Sequence, residues 1–400
     1  MGDPHRLTPR RTRTARDHFA EYPTCGRAAP PQQGNSSAAG QLAGWRPSST
    51  GSDGLSLGTA SVVVGPHRVP RLTLGRMDNL SSRLPQLQLT RDQLGHDGRA
   101  IRRDRENGGS ERLRRGIYVP QSIWSSADAD ARYLLRIHAA VLSRQSRPVA
   151  SHLSAARVWG LPILGQWPSE VHLQGGSGQT RSSKNAIVWH HDPLPDDDVT
   201  EIDGLLVTTR LRTLVDLARS QPFRSAVISL DAGLQERFAR PGDAQLPAIT
   251  RDEVLDRVLR LGSARGTRRA RQSLAFADAR SGSVGESLSR TGVFLAAMPM
   301  PDLQVAYPHA FGEDQVDFRW KRRFHVKRMP LLGEFDGEIK YTRGEFMGGR
   351  TIDEVVWAEK RREDRLRAPG RGMARWLWAD ALRPERLRAL LVNAGLRPEQ

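Results

Sequence analysis

Three carboxylates near the C-terminus lie in two short segments that have the hydrophobic pattern of β-strands. Asp317 lies in residues 315–320, and Glu334 and Asp336 lie in residues 333–341. A carboxylate in a half-buried strand costs several kcal/mol unless another group compensates its charge. A divalent cation is the commonest such group that also performs chemistry. The two segments therefore predict a metal-dependent hydrolase site.

The elements that must position these carboxylates follow from the pattern of the C-terminal region. The expected order is α-β-β-β-α-β and then a last helix, over residues 284–297, 303–307, 315–320, 333–341, 353–366, 373–378 and 384–394. On the first helix, Ser283 can act as N-cap with Glu286 three residues later, as in a capping box. That arrangement would give Glu286 a purely structural role.

This order, with Glu on the first helix, Asp on the second strand and Glu on the third, resembles the PD-(D/E)xK nuclease fold. More narrowly, residues 334–337 (Glu-Phe-Asp-Gly) look like the Glu-x-Asp-Gly signature of very-short-patch-repair-like endonuclease domains of unassigned function. The resemblance covers about residues 281–396. It implies a metal-dependent phosphodiesterase.

The resemblance also implies a role for each residue of the predicted site. Asp317 and Glu334 would bind Mg²⁺ (or Mn²⁺), with Asp336 or Glu286 completing the ligand set. The cation would activate water and neutralise charge on the phosphate, and Lys340 or a nearby arginine would stabilise the developing anion. The predicted catalytic residues are therefore Glu286, Asp317, Glu334, Asp336 and Lys340.

One position departs from the pattern of the resembled fold. The usual lysine follows the strand Glu by two residues, and Asp336 occupies that position here. Lys340 stands where the related small domains tend to have His. A lysine supplied from elsewhere and a degenerate, non-cleaving domain are both compatible with this departure. A further alternative is an acidic cluster that pairs with Arg319 and Arg343.

The charge of the whole chain suggests a polyanionic partner. Its 400 residues carry 61 Lys and Arg against 44 Asp and Glu, a net charge of +17. Such a basic chain most often meets nucleic acid, because neutralised phosphates release counterions. The alternative is compositional drift, since only five of the basic residues are Lys, as a GC-rich genome would produce. Four hundred residues also predict two or three domains.

The composition also bears on the compartment. A single cysteine, Cys25, allows no intrachain disulfide and no cysteine-based zinc site, which fits a reducing cytoplasm. The sequence contains no run of eighteen apolar residues, so no membrane span is predicted. The N-terminus contains arginines but lacks the apolar core of a signal peptide. We expect a cytoplasmic protein with no membrane partner.

The chain divides into four regions with predicted boundaries at 1–76, 77–122, 123–280 and 281–396. Residues 1–76 are rich in Pro, Gly, Ser, Thr and Arg and contain no lysine, a composition typical of disorder. We also hypothesise that Met77 is the native start. The second region should contain a brief helix capped by Thr90, a helix over 98–106 and a basic hairpin over 112–120.

Helix, helix and basic hairpin is the order of a winged helix-turn-helix, whose second helix enters the major groove of DNA. The candidate nucleic-acid-binding residues are arginines of the second helix and hairpin: Arg102, Arg103, Arg105, Arg112, Arg114 and Arg115. The alternative is that these arginines form an ordinary solvated face.

The third region is predicted to be a mixed α/β domain, with helices at 127–143, 151–160, 227–238 and 251–276 among its elements. His152, His190 and His191 have no carboxylate at ligand spacing, so we interpret them as packed residues. Residues 113–119, 151–156 and 207–217 resemble AbiE-type antitoxins, the repressor half of type IV toxin–antitoxin systems. That resemblance implies operator DNA as one partner and a toxin protein as another.

Together these patterns favour a DNA-binding protein with a Mg²⁺-dependent DNA endonuclease domain at its C-terminus. The first alternative is a non-catalytic transcriptional regulator or antitoxin with a degenerate nuclease fold. A third hypothesis, an RNA-cleaving effector, uses the same site on a different substrate.

Overall fold

The computed structural model describes residues 87–90, 97–175, 183–240, 244–337, 352–367 and 370–398. They form a mixed α/β, multidomain fold with three sheets and twelve α-helices in the described ranges. This agrees with the mixed α/β, multidomain organisation expected from the sequence. No helix in these ranges is long and apolar enough to cross a membrane.

The first sheet is small and precedes the middle region. Its elements are β1 (Gln88–Leu89), α1 (Asp97–Glu106), β2 (Ser110–Arg114) and β3 (Ile117–Pro120). Strand β3 is central and antiparallel to both neighbours. The backbone N–H of Thr90 donates to the Gly116 carbonyl at 3.0 Å, beside the end of β1. The brief helix that Thr90 is predicted to cap falls on the residues that follow. Residues 91–96 lie outside the described residues.

The second sheet has five strands in the order β6-β5-β4-β8-β7. The elements of this middle region are α2 (Gln121–Ser126), α3 (Ala129–Leu142), β4 (Val149–Ala150), α4 (His152–Trp159), β5 (Val171–Gln174), β6 (Ile187–His190), β7 (Val199–Ile202), β8 (Leu205–Thr208), α5 (Arg210–Ser220), α6 (Phe223–Gly233), α7 (Arg251–Arg260) and α8 (Thr267–Phe276). The single helix predicted over 251–276 is two helices. The chain turns between them at Gly262 and Gly266, whose φ angles of 57° and 86° no helix accommodates.

The third sheet has four strands in the order β12-β11-β10-β9. Its region contains α9 (Val284–Leu295), β9 (Asp302–His309), β10 (Gly312–Trp320), β11 (Leu331–Phe335), α10 (Ile352–Arg367), β12 (Gly372–Trp376), α11 (Trp378–Ala381) and α12 (Pro384–Asn393). Strands β9, β10 and β11 are successively antiparallel, and β12 is parallel to β11. The α-β-β-β-α-β element order expected from the sequence is therefore present.

Both faces of the third sheet are covered, which explains why every residue of β11 is buried. Phe318, Trp320 and Trp376 belong to the larger of two apolar clusters, and Leu332 and Leu366 to the smaller. Gly333 allows the ring packing, since a Cβ there would lie 2.7 Å from the Trp376 ring.

Contacts between α6 and α9 join the middle region to the third sheet across the boundary predicted at residue 281. The buried guanidinium of Arg290 lies 2.7 Å from the Asp231 carboxylate, and both side chains are at most 5% exposed. Arg224 donates to the carbonyls of Ala381 and Leu382 at 2.5 and 2.9 Å. The two regions therefore share a packed, hydrogen-bonded interface.

Candidate functional site

The candidate site lies where β10 and β11 separate. The two strands pair from Trp320↔Leu331 to Phe318↔Gly333, and Asp317 and Glu334 follow that last pair. The Asp317 carboxylate accepts a hydrogen bond at 2.9 Å from the backbone N–H of Phe335. At this point β10 thus contacts the end of β11 through the Asp317 side chain and not through its main chain. The contact brings Asp317 close to Glu334, the residue before Phe335.

Glu334 is nearly buried and is held by two arginines. Its side chain is 7% exposed; Oε1 accepts from Arg362 of α10 at 2.5 Å, and Oε2 accepts from Arg375 of β12 at 2.8 Å. Glu359 accepts from both arginines, at 3.0 and 2.6 Å. Two guanidinium groups and two carboxylates therefore form one network across α10, β11 and β12.

Asp336 lies at the more exposed end of this network. Its backbone N–H donates to the Trp376 carbonyl at 3.0 Å, and its carboxylate lies 3.8 Å from Arg375. Burial disfavours the charged form of Arg375, but the bond to Glu359 and the charges of Glu334 and Asp336 outweigh burial and raise the pKa of Arg375. Arg375 is therefore a permanent cation beside the position where the resembled fold has lysine. Lys340 lies outside the described residues.

Glu286 lies in the first turn of α9, where the Ser283 N-cap accepts from its N–H, and its side chain also reaches the sheet. It accepts hydrogen bonds from the Gly282 N–H at 2.8 Å and the Ser283 hydroxyl at 2.9 Å. The Gln304 amide donates to the same carboxylate at 2.6 Å, and Gln304 has a φ of 51°, a strained value for a residue other than Gly. Gln304 lies in β9 between the residues paired with Val316 and Phe318. Glu286 is thus joined, through Gln304, to the stretch of sheet beside Asp317.

The chemistry of this donor set fits a hard divalent cation, since Asp317, Glu334 and Asp336 provide carboxylate oxygens. Their present arrangement is a salt-bridge network, because both oxygens of Glu334 accept from arginine. Within the described ranges, no three His, Cys, Asp or Glu side chains are grouped so that they could hold a metal ion. A cation would have to compete with Arg362 and Arg375 for Glu334.

The alternative that paired the acidic cluster with Arg319 and Arg343 is wrong for Arg319. That side chain donates to Asp302 at 2.7 Å, because the two residues are opposite each other in the β9–β10 register. Arg343 lies outside the described residues. Sequence reasoning missed Arg362 and Arg375 as the partners of Glu334. The available signal was the position of Arg375 on a strand predicted to follow the α-helix, which is typical of parallel pairing.

The candidate nucleic-acid-binding arginines lie on α1 and on the β2–β3 hairpin. Five of them are exposed: Arg102, Arg103, Arg105, Arg112 and Arg115. Arg114 differs, because its guanidinium donates to the carbonyls of Asn185 and Ala186 at 3.0 and 3.2 Å. It joins the hairpin to the middle region.

A second polar cluster lies in the middle region, where residues 151–156 meet residues 207–217. The His152 ring stacks on His190 at 3.4 Å between centroids, and His172 Nδ1 lies 2.9 Å from His190 Nε2. Burial lowers the pKa of His172 and of His190 to about 4. Asp216 lies 3.9 Å from His152, and burial raises its pKa to about 6 in spite of Arg212. The prediction of packed residues agrees with this geometry for His152 and His190, but it is wrong for His191, which is exposed.

No protein-family model matches the chain. Over 218 residues the chain is 30% identical to two uncharacterized proteins of Mycobacterium tuberculosis, MT2308 of strain CDC 1551 and Rv2248 of strain H37Rv. The alignment covers 54% of this chain and 71% of each relative. A crystal structure of the RV2827C protein from the same species superposes with a TM-score of 0.32 at 16% identity, over 50% of this chain and 78% of that one.

Proposed function

The chain belongs to the family of these two uncharacterized mycobacterial proteins, and we propose that it is a DNA-binding protein with a Mg²⁺-dependent endonuclease domain of the PD-(D/E)xK type. The observation that carries the proposal is the position of Asp317 and Glu334. They lie side by side where β10 and β11 separate, within the α-β-β-β-α-β order. Carboxylates on neighbouring strands at such a point suit phosphodiester hydrolysis.

In this proposal the carboxylates of Asp317, Glu334 and Asp336 would hold the cation after it displaced Arg362 and Arg375 from the Glu334 oxygens. When bound, Mg²⁺ would supply a water nucleophile and charge neutralisation at the phosphate. Arg375 takes the part of the missing lysine, since its guanidinium contacts Glu334 and approaches Asp336. Glu286 fixes the position of β9 through its bond with Gln304.

DNA binding is assigned to α1 and the β2–β3 hairpin, as in a winged helix-turn-helix. The net charge of +17 supports a polyanionic partner, and exposed arginines on both elements offer planar, bidentate contacts to phosphate. In the proposal α1 reads the major groove and the hairpin contacts the adjacent backbone.

A second candidate function is a non-catalytic regulator or antitoxin that retains a nuclease-like fold. It is favoured by one contact set, the two arginines that already neutralise Glu334. A carboxylate balanced by two guanidinium groups needs no metal for its burial. In this candidate the protein binds promoter DNA and a toxin protein instead of cleaving a strand.

Plasmid nicking with Mg²⁺ or Mn²⁺ tests the two candidates against each other. The assay compares the wild-type chain with Asp317→Asn, Glu334→Gln and, as a matched control, Asp364→Asn, which removes an exposed carboxylate of α10. Nicking by wild type and by the control, and by neither site variant, is expected for the endonuclease. Tight promoter binding without nicking would instead support the regulator. A parallel assay on RNA of the same sequence tests the third substrate hypothesis.

A further inference from the structure

The β2–β3 hairpin and the middle region meet at a contact made by Arg114. Its two terminal nitrogens donate to the adjacent carbonyls of Asn185 and Ala186. Both carbonyl residues have positive φ angles, 55° and 53°, which are uncommon for residues other than Gly. The turn before β6 therefore presents two neighbouring carbonyls to one planar guanidinium. The hairpin and this turn are held side by side.

Cations gather around this contact. Arg112 and Arg115 are exposed on the hairpin side, and Lys184 is exposed on the turn side. Arg144 stacks on Trp189, with the guanidinium carbon 5.4 Å from the ring centroid. Burial, and then the charge of Arg144, lower the pKa of Arg114. The guanidinium groups of Arg114 and Arg144 are therefore close enough to repel each other.

The hairpin arginines and Lys184 differ in their ion pairs from the arginines of the third sheet. In the part of the chain that the structure describes, no carboxylate forms an ion pair with Arg112, Arg114, Arg115 or Lys184. At the third sheet, by contrast, Arg362 and Arg375 each contact at least two carboxylates. Like charges without counterions repel one another, and a bound polyanion removes that cost.

We infer that the DNA interface extends from the hairpin onto the middle region, through a junction surface made of Arg112, Arg115 and Lys184. This inference rests on the proposed DNA binding and assigns part of it to the middle region. The junction surface contacts backbone phosphates, which position a duplex without reading its sequence. Because Arg114 joins the two sides, the hairpin and Lys184 contact one duplex as a single surface.

The test is a salt titration of DNA binding by the full chain. Fluorescence anisotropy with a labelled duplex of about 30 base pairs gives the slope of log K against log salt, which changes by about 0.9 for each phosphate contact. Lys184→Gln and Arg115→Gln should each lower the magnitude of the slope by about 0.9 and the double variant by about twice that. Arg268→Gln makes the same charge change on the exposed face of α8 and should leave the slope unchanged.

The outcomes separate this inference from the proposed function. If Arg103→Gln lowers the slope and Lys184→Gln does not, DNA binding stands and the junction surface is refuted. If the wild-type chain binds no duplex, DNA binding itself is refuted and the inference fails with it. Equal binding of poly-glutamate at the same charge would show an acidic protein surface, and not DNA, to be the partner of Lys184.

Discussion

Replacement of Arg290 by methionine should destabilise the chain far more than removal of an exposed arginine. The change leaves the Asp231 carboxylate, 1% exposed, without its cation and removes hydrogen bonds to Phe276 and Ser281. Breaking one side of a buried ion pair costs about 3–5 kcal/mol. A domain with a typical unfolding free energy of about 5–15 kcal/mol would lose a large part of its stability.

Urea denaturation of the full chain, followed by tryptophan fluorescence and circular dichroism, measures this loss. The matched control is Arg280→Met, because the Arg280 side chain is 64% exposed in its pair with Asp278 and should contribute at most about 1 kcal/mol. The double variant Asp231→Leu, Arg290→Met should be more stable than Arg290→Met alone, since it buries no unpaired charge. An Arg290→Met midpoint equal to that of the control would refute the reasoning.

Two further predictions concern the pH dependence of stability and the packing of β11. The folded-state pKa of His172 and of His190, about 4, lies below the unfolded value of about 6.5. As the pH falls, the unfolded chain therefore binds protons at these histidines before the folded chain does. Unfolding free energy should therefore fall as pH drops from about 6.5 to 4, by about 3 kcal/mol for each histidine, while the raised pKa of Asp216 opposes part of this loss. Melting temperatures between pH 4 and 8 check this, and a flat profile would contradict it. Gly333→Ala should cost about 1–3 kcal/mol, because its Cβ would lie 2.7 Å from the Trp376 ring. Gly337→Ala should be neutral in the same urea assay, because the nearest atom of the described residues lies 3.8 Å from its Cβ.

The order of the elements around the site could be predicted because it depends on local hydrophobic patterns. The alternation in β10 and the apolar run of β11 give both strands, and Ser283 with Glu286 gives the start of α9. The N-cap expected of Ser283 is confirmed, since its hydroxyl accepts from the Glu286 N–H at 3.2 Å. The Glu286 carboxylate accepts from the Gly282 N–H, one residue before the N–H that a capping box uses. These signals need no knowledge of distant residues.

The partners of Glu334 were missed from the sequence because they depend on tertiary register, which local patterns only hint at. Arg362 lies 28 residues away on one face of α10, and Arg375 lies 41 residues away on β12. The pairing of Glu334 with Arg375 follows only from the parallel register of β11 and β12, in which the two residues are opposite each other. The pairing of Arg319 with Asp302 depends in the same way on the β9–β10 register.

Helix α9 carries two contacts that belong to different regions of the molecule. Glu286 in its first turn bonds Gln304 beside the candidate site, and Arg290, one turn later and about 6 Å along the axis, bonds Asp231 of α6. A protein that bound the middle region and displaced α6 would act on the candidate site through helix α9. Thermodynamic linkage requires the reverse as well: a ligand bound at the candidate site would change the affinity of that protein by the same factor.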